Sequence, residues 1–493
     1  MAGSALAEKF VVNRLKKSLT GRRENLEQLI GATSKLNLTR DVDLFVGNLR
    51  RSLEEETNFS KIFLRIGSET SKSYKKNLAR NLIYNSFIKG KARRDELSVD
   101  GNMVPAVLVI SPTMRCNLKC TGCYSGLYTK QIELTEDEID SVLSQARDLG
   151  IYFIVVSGGE PYFIKDTLLK MFKKYNDMFF LTYTNGTYFD KKLAKQLGKL
   201  GNVAPAISVE GWQKETDERR GKGVWNKVLT AMENLREEGV MFGISVTQTR
   251  YNLDAILSDE FVEYFLDKGA IFGWYFMFMP VGKDPILDLV PTPEQRVYSA
   301  KRVRELRARH PMFLADFWND GDSVNGCMAG GKGYMHVLNN GNVEPCVFAH
   351  FSADNIRNTS LFDAMNSKFF KYIRSRFPYN DNANLRAPCM IIDNPDVLRD
   401  AVNKYLVPHG HDHSEDLIKD PETVKWIDNY AEKYRSLADP IWEEIINDPE
   451  SRWYKWGEGY ESLFQFQTPE RRAELLNRAR AGRPRKEYAA PAQ

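Results

Sequence analysis

Apolar and polar residues change their rhythm twice along this chain. From Ala5 to about Arg94, apolar residues recur three and four positions apart among charged ones, as in Phe10, Val11, Leu15 and Leu19 and again in Leu78, Leu82, Ile83 and Phe87. That is a helical period. Beyond Val104, short β-branched and aromatic runs alternate with amphipathic stretches. Strands are expected at Val107–Ser111, Tyr152–Ser157, Phe179–Thr184, Pro205–Glu210, Phe242–Thr247 and Ile271–Met279, and helices over about 135–149, 165–175, 190–199, 224–239, 254–268 and 294–309. Six strands, each followed by a helix and apolar enough to be covered on both faces, predict a parallel α/β sheet or an open barrel. Functional residues then belong at the C-terminal strand ends.

After His310 the pattern shifts again. Tyr334–Leu338 and Val343–Phe348 flank Asn339-Asn340-Gly341-Asn342, which reads as a hairpin with Asn-Gly at its turn. The expected organisation is a basic helical region at 1–100, an α/β core at 104–316 and a small cysteine-bearing domain at 317–400. A helical extension at 401–475 and a polar, Pro/Ala-rich disordered tail at 476–493 follow.

The 493 residues are 42% hydrophobic and 27% charged, the balance of a soluble globular protein with room for an enclosed site. No apolar run reaches about 18 residues, and MAGSALAEKFVVNRLKKSL is charged too early for a secretory segment, so a cytoplasmic protein is expected. Net charge is only +4, yet residues 1–100 hold 20 Lys and Arg against 12 Asp and Glu. The excess fits a solvated helical cap better than a nucleic-acid site. The basic amphipathic stretch Lys9–Arg23 also suits peripheral contact with the inner face of an anionic membrane.

The six cysteines change the picture most. Cys116, Cys120 and Cys123 fall within eight residues immediately after the first strand, while Cys327, Cys346 and Cys389 are dispersed. In a large intracellular chain this is a metal or cluster pattern, not a disulfide framework. Thiolates select zinc, copper(I) or iron–sulfur clusters, and zinc would want a fourth Cys or His nearby. None of the six histidines lies within about 180 residues of Cys123.

CxxxCxxC followed by an aromatic (Cys116, Cys120, Cys123, Tyr124) after the first strand resembles the signature of the radical S-adenosylmethionine (SAM) enzymes. The resemblance implies a partial (β/α)6 barrel whose three cysteines hold a [4Fe–4S] cluster, with SAM chelating the fourth iron. Ser157-Gly158-Gly159-Glu160-Pro161 then resembles the family's GGE motif, and Gly158, Gly159 and Glu160 are expected to meet the SAM amino group. Two glycines admit a close main chain, and a carboxylate pairs with an ammonium. Asn185 and then Ser208 and Glu210 mark the next two polar strand ends, and Arg220 in Asp217-Glu218-Arg219-Arg220-Gly221 fits a SAM carboxylate contact or half of a surface basic pair. Phe278-Met279-Pro280-Val281-Gly282 fits an apolar edge for adenine, or simply a buried strand end.

Cys327, Gly341, Cys346 and Cys389 resemble the auxiliary-cluster domains called SPASM and twitch, with three cysteines where a full SPASM pattern has seven. A single second [4Fe–4S] cluster is implied, its fourth ligand being substrate, a side chain such as His350, or nothing. Three unconnected core thiols are the alternative. His409-Gly-His411-Asp-His413 reads as an exposed loop in preference to a metal site. The activity implied is reductive SAM cleavage and hydrogen abstraction, with ferredoxin or flavodoxin as electron donor and no nucleic-acid partner. The basic helical N-terminus and single auxiliary cluster favour a small or lipid-like substrate. A peptide-modifying maturase and a non-enzymatic electron carrier on the same fold are the rivals.

Overall fold

The computed structural model describes residues 12–13, 19–33, 40–282, 286–451, 453 and 465–480. All six expected strands form: β1 (Val107–Ile110), β2 (Phe153–Val156), β3 (Phe179–Thr184), β4 (Val203–Val209), β5 (Gly243–Gln248) and β6 (Phe272–Met277). They lie side by side in chain order, each parallel to the next. Helices Glu136–Asp148, Lys165–Lys174, Lys191–Leu200 and Val224–Glu237 connect the first five strands. Their starts are written locally: Thr135 and Glu138 form a reciprocal capping box, and the Asp190 side chain accepts from the Leu193 amide.

Two features lay outside the sequence expectation. A seventh strand, β7 (Phe313–Asp316), extends the sheet beyond β6; at four residues its signal is too short for an alternation to show. The helix Gln213–Arg220 (QKETDERR) is polar all round, so no apolar period announces it.

The hairpin strands β8 (Tyr334–Val337) and β9 (Asn342–Glu344) form, β9 ending at Glu344 where a strand to Phe348 was expected, and β8 pairs in parallel with β1. With β10 (Asp354–Asn355) the result is one ten-stranded sheet, ordered β10-β9-β8-β1-β2-β3-β4-β5-β6-β7. The first strand of the cysteine-bearing segment is therefore an edge extension of the barrel sheet.

The two faces of β1–β7 differ. One carries Leu108, Ile154, Phe180, Ile207, Val246 and Tyr275, all buried under helices. On the other, Val107, Phe153, Tyr183, Ser245, Thr247, Trp274 and Phe276 are only partly buried and Phe313 is 47% exposed. This open face is the inside of the partial barrel.

The N-terminal region is helical, as expected: Arg23–Thr33, Arg40–Glu54, Asn58–Glu69 and Lys72–Asn77, then a π-helical stretch Leu78–Lys89 running into Gly90–Leu97. It closes the floor of the barrel, at the N-terminal strand ends. Asn77 Nδ2 donates to Leu200 O (2.6 Å), Asn81 Nδ2 to Met178 O (2.8 Å) and Arg94 Nη1 to Gly150 O (2.6 Å), while the Tyr74 hydroxyl donates to Val203 O. Those carbonyls lie just before β4, β3 and β2 or, for Val203, at the first residue of β4, where buried acceptors need donors. Of Lys9–Arg23, only 12–13 and 19–23 are among the described residues. No helix among the described residues is long and apolar enough to cross a membrane.

Beyond the sheet, the C-terminal helix Pro421–Asn447 packs back on the core, with the Tyr430 hydroxyl donating to Pro291 O (3.0 Å) and that of Tyr434 to Arg386 O (2.9 Å). Pro469–Arg480 is helical, five residues into the stretch expected to be disordered; 481–493 lie outside the described residues.

Candidate functional site

The loop leaving β1 carries Cys116, Cys120 and Cys123, all unpaired and partly buried. It is clamped on three sides. From β2, the Gly159 amide donates to Thr113 O (3.0 Å) and the Glu160 amide to Arg115 O (2.8 Å). From the helix Gln213–Arg220, Arg219 O accepts from the Thr121 amide (3.0 Å). From the end of β6, the Phe278 ring packs where a Cβ on Gly122 would come within 2.5 Å.

Here the glycines of the Ser157–Pro161 segment act differently from the expectation of ligand approach. A Cβ on Gly158 would sit 2.3 Å from Thr113 O, and one on Gly159 would sit 2.4 Å from Arg115 O. Their lack of a side chain lets β2 lie against the cysteine loop. Glu160 differs too: its side chain is fully buried and takes the Tyr162 amide (3.1 Å), the Thr184 hydroxyl (2.8 Å) and the Asn185 amide (2.7 Å). Burial pushes its carboxyl up to about 7, against the pull of those donors. Through these three bonds the carboxylate ties the ends of β2 and β3 together.

Asn185 stands beside the cysteines. Its Nδ2 donates to Asn117 Oδ1 (2.9 Å) and lies 3.8 Å from Cys116 Sγ. Ser208 sits near the end of β4, 9% exposed. Glu210 and Arg220, expected as separate ligand contacts, meet each other. Glu210 Oε1 accepts from Arg219 Nη1 (2.6 Å) and Arg220 Nε (2.7 Å), whereas Oε2 is buried without a protein partner. A surface basic pair is thereby excluded: both arginines are largely buried, and Arg220 opposes the rise in the Cys120 pKa that burial causes. The orphaned Oε2 and the cationic pair beside Cys120 suit a ligand bringing hydroxyl donors and a carboxylate. Phe278, Met279 and Val281 are almost fully buried, so that strand end is packing against the cysteine loop rather than an open edge.

The distant cysteines converge. Cys327, Cys346 and Cys389 line one small cavity with Phe317, Trp318 and Tyr334. Burial drives all three thiols to about 12, so a soft metal that takes thiolates would displace protons there. Three core thiols scattered through the protein are excluded by this placement. The Tyr334 hydroxyl lies 3.0 Å from Cys346 Sγ. Behind Cys389, the Asp393 carboxylate accepts the Cys389 amide (2.9 Å) and is held by Arg296 through two bonds (2.5 and 3.1 Å).

His350 is not free to be a ligand. Its Nδ1 bonds His411 Nε2 (2.8 Å) and its Nε2 faces Val347 O (3.1 Å). The histidine loop thus differs from a wholly exposed one, since His411 packs on Tyr128 with ring centroids 4.7 Å apart. His409 and His413 face Glu415 and Asp416. No three His, Cys, Asp or Glu side chains among the described residues close on a single metal ion, and thiolates that bind different irons of a cluster need not.

Sequence reasoning missed a buried polar chain between the two cysteine sets. Ser111 Oγ bonds His336 Nε2 (2.7 Å), His336 Nδ1 bonds Glu344 Oε2 (3.1 Å), and the Tyr128 hydroxyl donates to Glu344 Oε1 (2.8 Å). Burial holds His336 down to about 3 and raises Glu344. Its members span over 200 residues of chain and share no motif, so only the pairing of β8 with β1 reveals them.

Two family models match the chain: the Radical SAM superfamily over residues 110–258 and an iron–sulfur cluster-binding domain, SPASM, over 327–390. Fe-coproporphyrin III synthase of Methanosarcina barkeri is 32% identical over 30% of this chain, a match that spans only 38% of that protein. AdoMet-dependent heme synthase of the same organism is 24% identical over 59% of this chain and 88% of its own length. PqqA peptide cyclase of Rhizobium meliloti is 25% identical over 52% and 72%. The first domain is one that uses a [4Fe–4S] cluster and SAM, and it begins at the last residue of β1; the second begins at Cys327 and ends one residue past Cys389. The chain is a member of the radical SAM superfamily, in the branch whose barrel is followed by a SPASM-type auxiliary-cluster domain.

Proposed function

We propose that this radical SAM enzyme abstracts hydrogen from a small or lipid-like substrate seated on the open sheet face, between two cysteine-bound clusters. One observation carries the substrate class: within β1–β7 every side chain on that face is uncharged, and it is rich in aromatic rings. Tyr183 packs on Phe276 (5.4 Å), Phe276 on Trp274 (6.2 Å) and Phe317 (5.2 Å), and Phe317 on Trp318 (5.2 Å). Phe317 and Trp318 also wall the cavity of Cys327, Cys346 and Cys389, so the apolar surface runs to the second cysteine set. Burying such surface returns about 25 cal/mol per Å2, whereas a charged substrate would be stripped of water there with no partner.

Cys116, Cys120 and Cys123 would hold the SAM-binding cluster and Cys327, Cys346 and Cys389 the auxiliary one. When bound, cluster and SAM together supply a 5′-deoxyadenosyl radical by one-electron cleavage. The chain's own residues position and exclude. Gly158 and Gly159 set the cysteine loop, Arg220 and Glu210 Oε2 offer a charge and an acceptor to SAM, and Asn185 steadies the loop beside Cys116. The ring-lined face keeps water from the reacting carbon.

Two relatives are named as synthases, one of Fe-coproporphyrin III and one of heme, and a third as a peptide cyclase. A planar macrocycle belongs to the small, apolar class, though this face offers no cation to carboxylate substituents. The test is anaerobic reconstitution and reduction with SAM, measuring iron per chain and 5′-deoxyadenosine, with fractions of deuterium-grown cells as substrate. About eight irons per chain, SAM cleavage, and deuterium in 5′-deoxyadenosine from the solvent-extractable fraction are expected. Deuterium from the peptide fraction alone would select the maturase, and iron without cleavage the electron carrier.

A further inference from the structure

Where the N-terminal helices meet the barrel floor there is a second cavity, of about 260 Å3, bordered by Lys76, Arg80, Lys173 and Lys199 together with polar Ser73, Asn77 and Asn176. It carries four cations and no carboxylate. It lies at the far end of the barrel from the cysteines, because Lys173 and Lys199 occupy the last turns of helices leading into β3 and β4.

Two ordinary explanations for such lysines fail. The first is pairing with carboxylates. Neighbours on the same helices are paired, Lys170 with Glu136, Lys174 with Asp140 and Lys191 with Glu237, but among the described residues Lys76, Lys173 and Lys199 have no ion-pair or hydrogen-bond partner. The second is capping of helix C-termini, where cations are favourable. Those carbonyls are already served by neutral amides and by Arg80: Leu200 O accepts from Asn77 Nδ2 (2.6 Å), and Asn176 O from Asn81 Nδ2 (2.8 Å) and from Arg80. Arg80 is in turn fixed by Asn176 Oδ1 (2.9 Å) and Asn81 Oδ1 (2.9 Å). The cavity thus has one oriented guanidinium and three solvent-exposed ammonium groups whose donors no group among the described residues takes.

We infer that this floor cavity is a binding site for a phosphate-bearing anion of at least two charges, a diphosphate, phosphate ester or phosphorylated headgroup, remote from the radical chemistry. Three ammonium groups and a guanidinium exceed what a lone carboxylate can use, and the Ser73 hydroxyl beside them can donate to a further phosphate oxygen. The basic excess of the first hundred residues then has a place to act: Lys76 and Arg80 bring it to the barrel floor.

The full-length protein tests this with two probes at about 0.15 M salt, where diffuse surface attraction is screened beyond roughly 8 Å. Pyrophosphate titrated calorimetrically serves as the soluble anion. Co-sedimentation with vesicles containing phosphatidic acid, whose phosphomonoester can carry two charges, in phosphatidylcholine, against phosphatidylcholine alone, serves as the headgroup. The site variant is Lys76→Gln/Lys173→Gln/Lys199→Gln; the charge-matched control, Lys192→Gln/Lys195→Gln/Lys227→Gln, alters exposed lysines elsewhere. At least tenfold weaker binding of one probe in the site variant, with the control like wild type, is expected, and the probe affected identifies the source. Binding of neither probe by wild type, or equal behaviour of the two variants, overturns the assignment.

Discussion

Arg296 offers the sharpest test of how the barrel holds the second cysteine set. Its guanidinium and the Asp393 carboxylate are 1% and 0% exposed, joined by two hydrogen bonds, and the guanidinium lies 3.6 Å from the Tyr434 ring centroid. Asn319 Oδ1 accepts from Arg296 Nε (3.0 Å). Replacing Arg296 with Met would leave Asp393 buried with no cation, a defect that costs roughly 3–5 kcal/mol. Loss of the ring contact adds up to about 2 kcal/mol. Lys at the same position keeps the charge but not the fork, and should lose only on the order of one charged hydrogen bond, about 1.5–3 kcal/mol. Urea unfolding of the apo protein should therefore rank wild type above Arg296→Lys above Arg296→Met. A second readout isolates positioning from bulk stability. Because Asp393 also holds the Cys389 amide, Cys389 should be alkylated faster in Arg296→Met under native conditions, with Cys116 unchanged. Stability within about 0.5 kcal/mol of wild type, or equal alkylation of Cys389, would refute the coupling of barrel helix to cysteine loop.

Three further outcomes are expected. Gly159→Ala must push a Cβ into the Arg115 and Met114 carbonyls, at 2.4 and 2.5 Å, so reconstituted iron should fall from about eight to about four per chain and SAM cleavage should vanish; full loading would show that the loop can yield. Cys327→Ala should lose a similar amount of iron yet still cleave SAM, whereas Cys116→Ala should not cleave it. Glu160 has a folded-state value of about 7 against roughly 4.3 unfolded, so the folded protein holds an extra proton between them and stability falls as pH rises through that window, by roughly 3 kcal/mol. Unfolding free energies of wild type and Glu160→Gln across pH 4.5–8 check this, the variant giving the flatter curve; parallel curves would mean the carboxyl is ionised throughout.

The strands that build the site were readable because each is a short apolar run between helical periods: Phe179–Thr184 matches residue for residue, and the other five shift by one or two positions. Cys116, Cys120 and Cys123 were readable because their chemistry is compressed into one loop. What escaped depends on contacts between distant segments. Glu160 was read as a ligand contact from its Gly-Gly-Glu setting, but the bonds it accepts from Thr184 and Asn185, a strand away, have no local signal. Glu210 and Arg220 each looked like a separate contact, since nothing in their spacing says that a helix will fold them together. His350 seemed available because local sequence cannot show that His411 and Val347 occupy its ring nitrogens.

The parallel pairing of β8 with β1 joins what the chain separates by more than 200 residues. Cys116 leaves one of these strands and Cys346 follows the hairpin of the other, so peptide geometry fixes the gauge between the two cysteine sets. Inserting a single residue into β8 would displace one set by about 3.3 Å and turn alternate side chains to the opposite face. The spacing between the two cysteine sets is therefore quantised in residues of strand. Adaptation to a longer or shorter substrate has to come from the rings lining the open face, whose sizes can change one at a time while the frame stays in register.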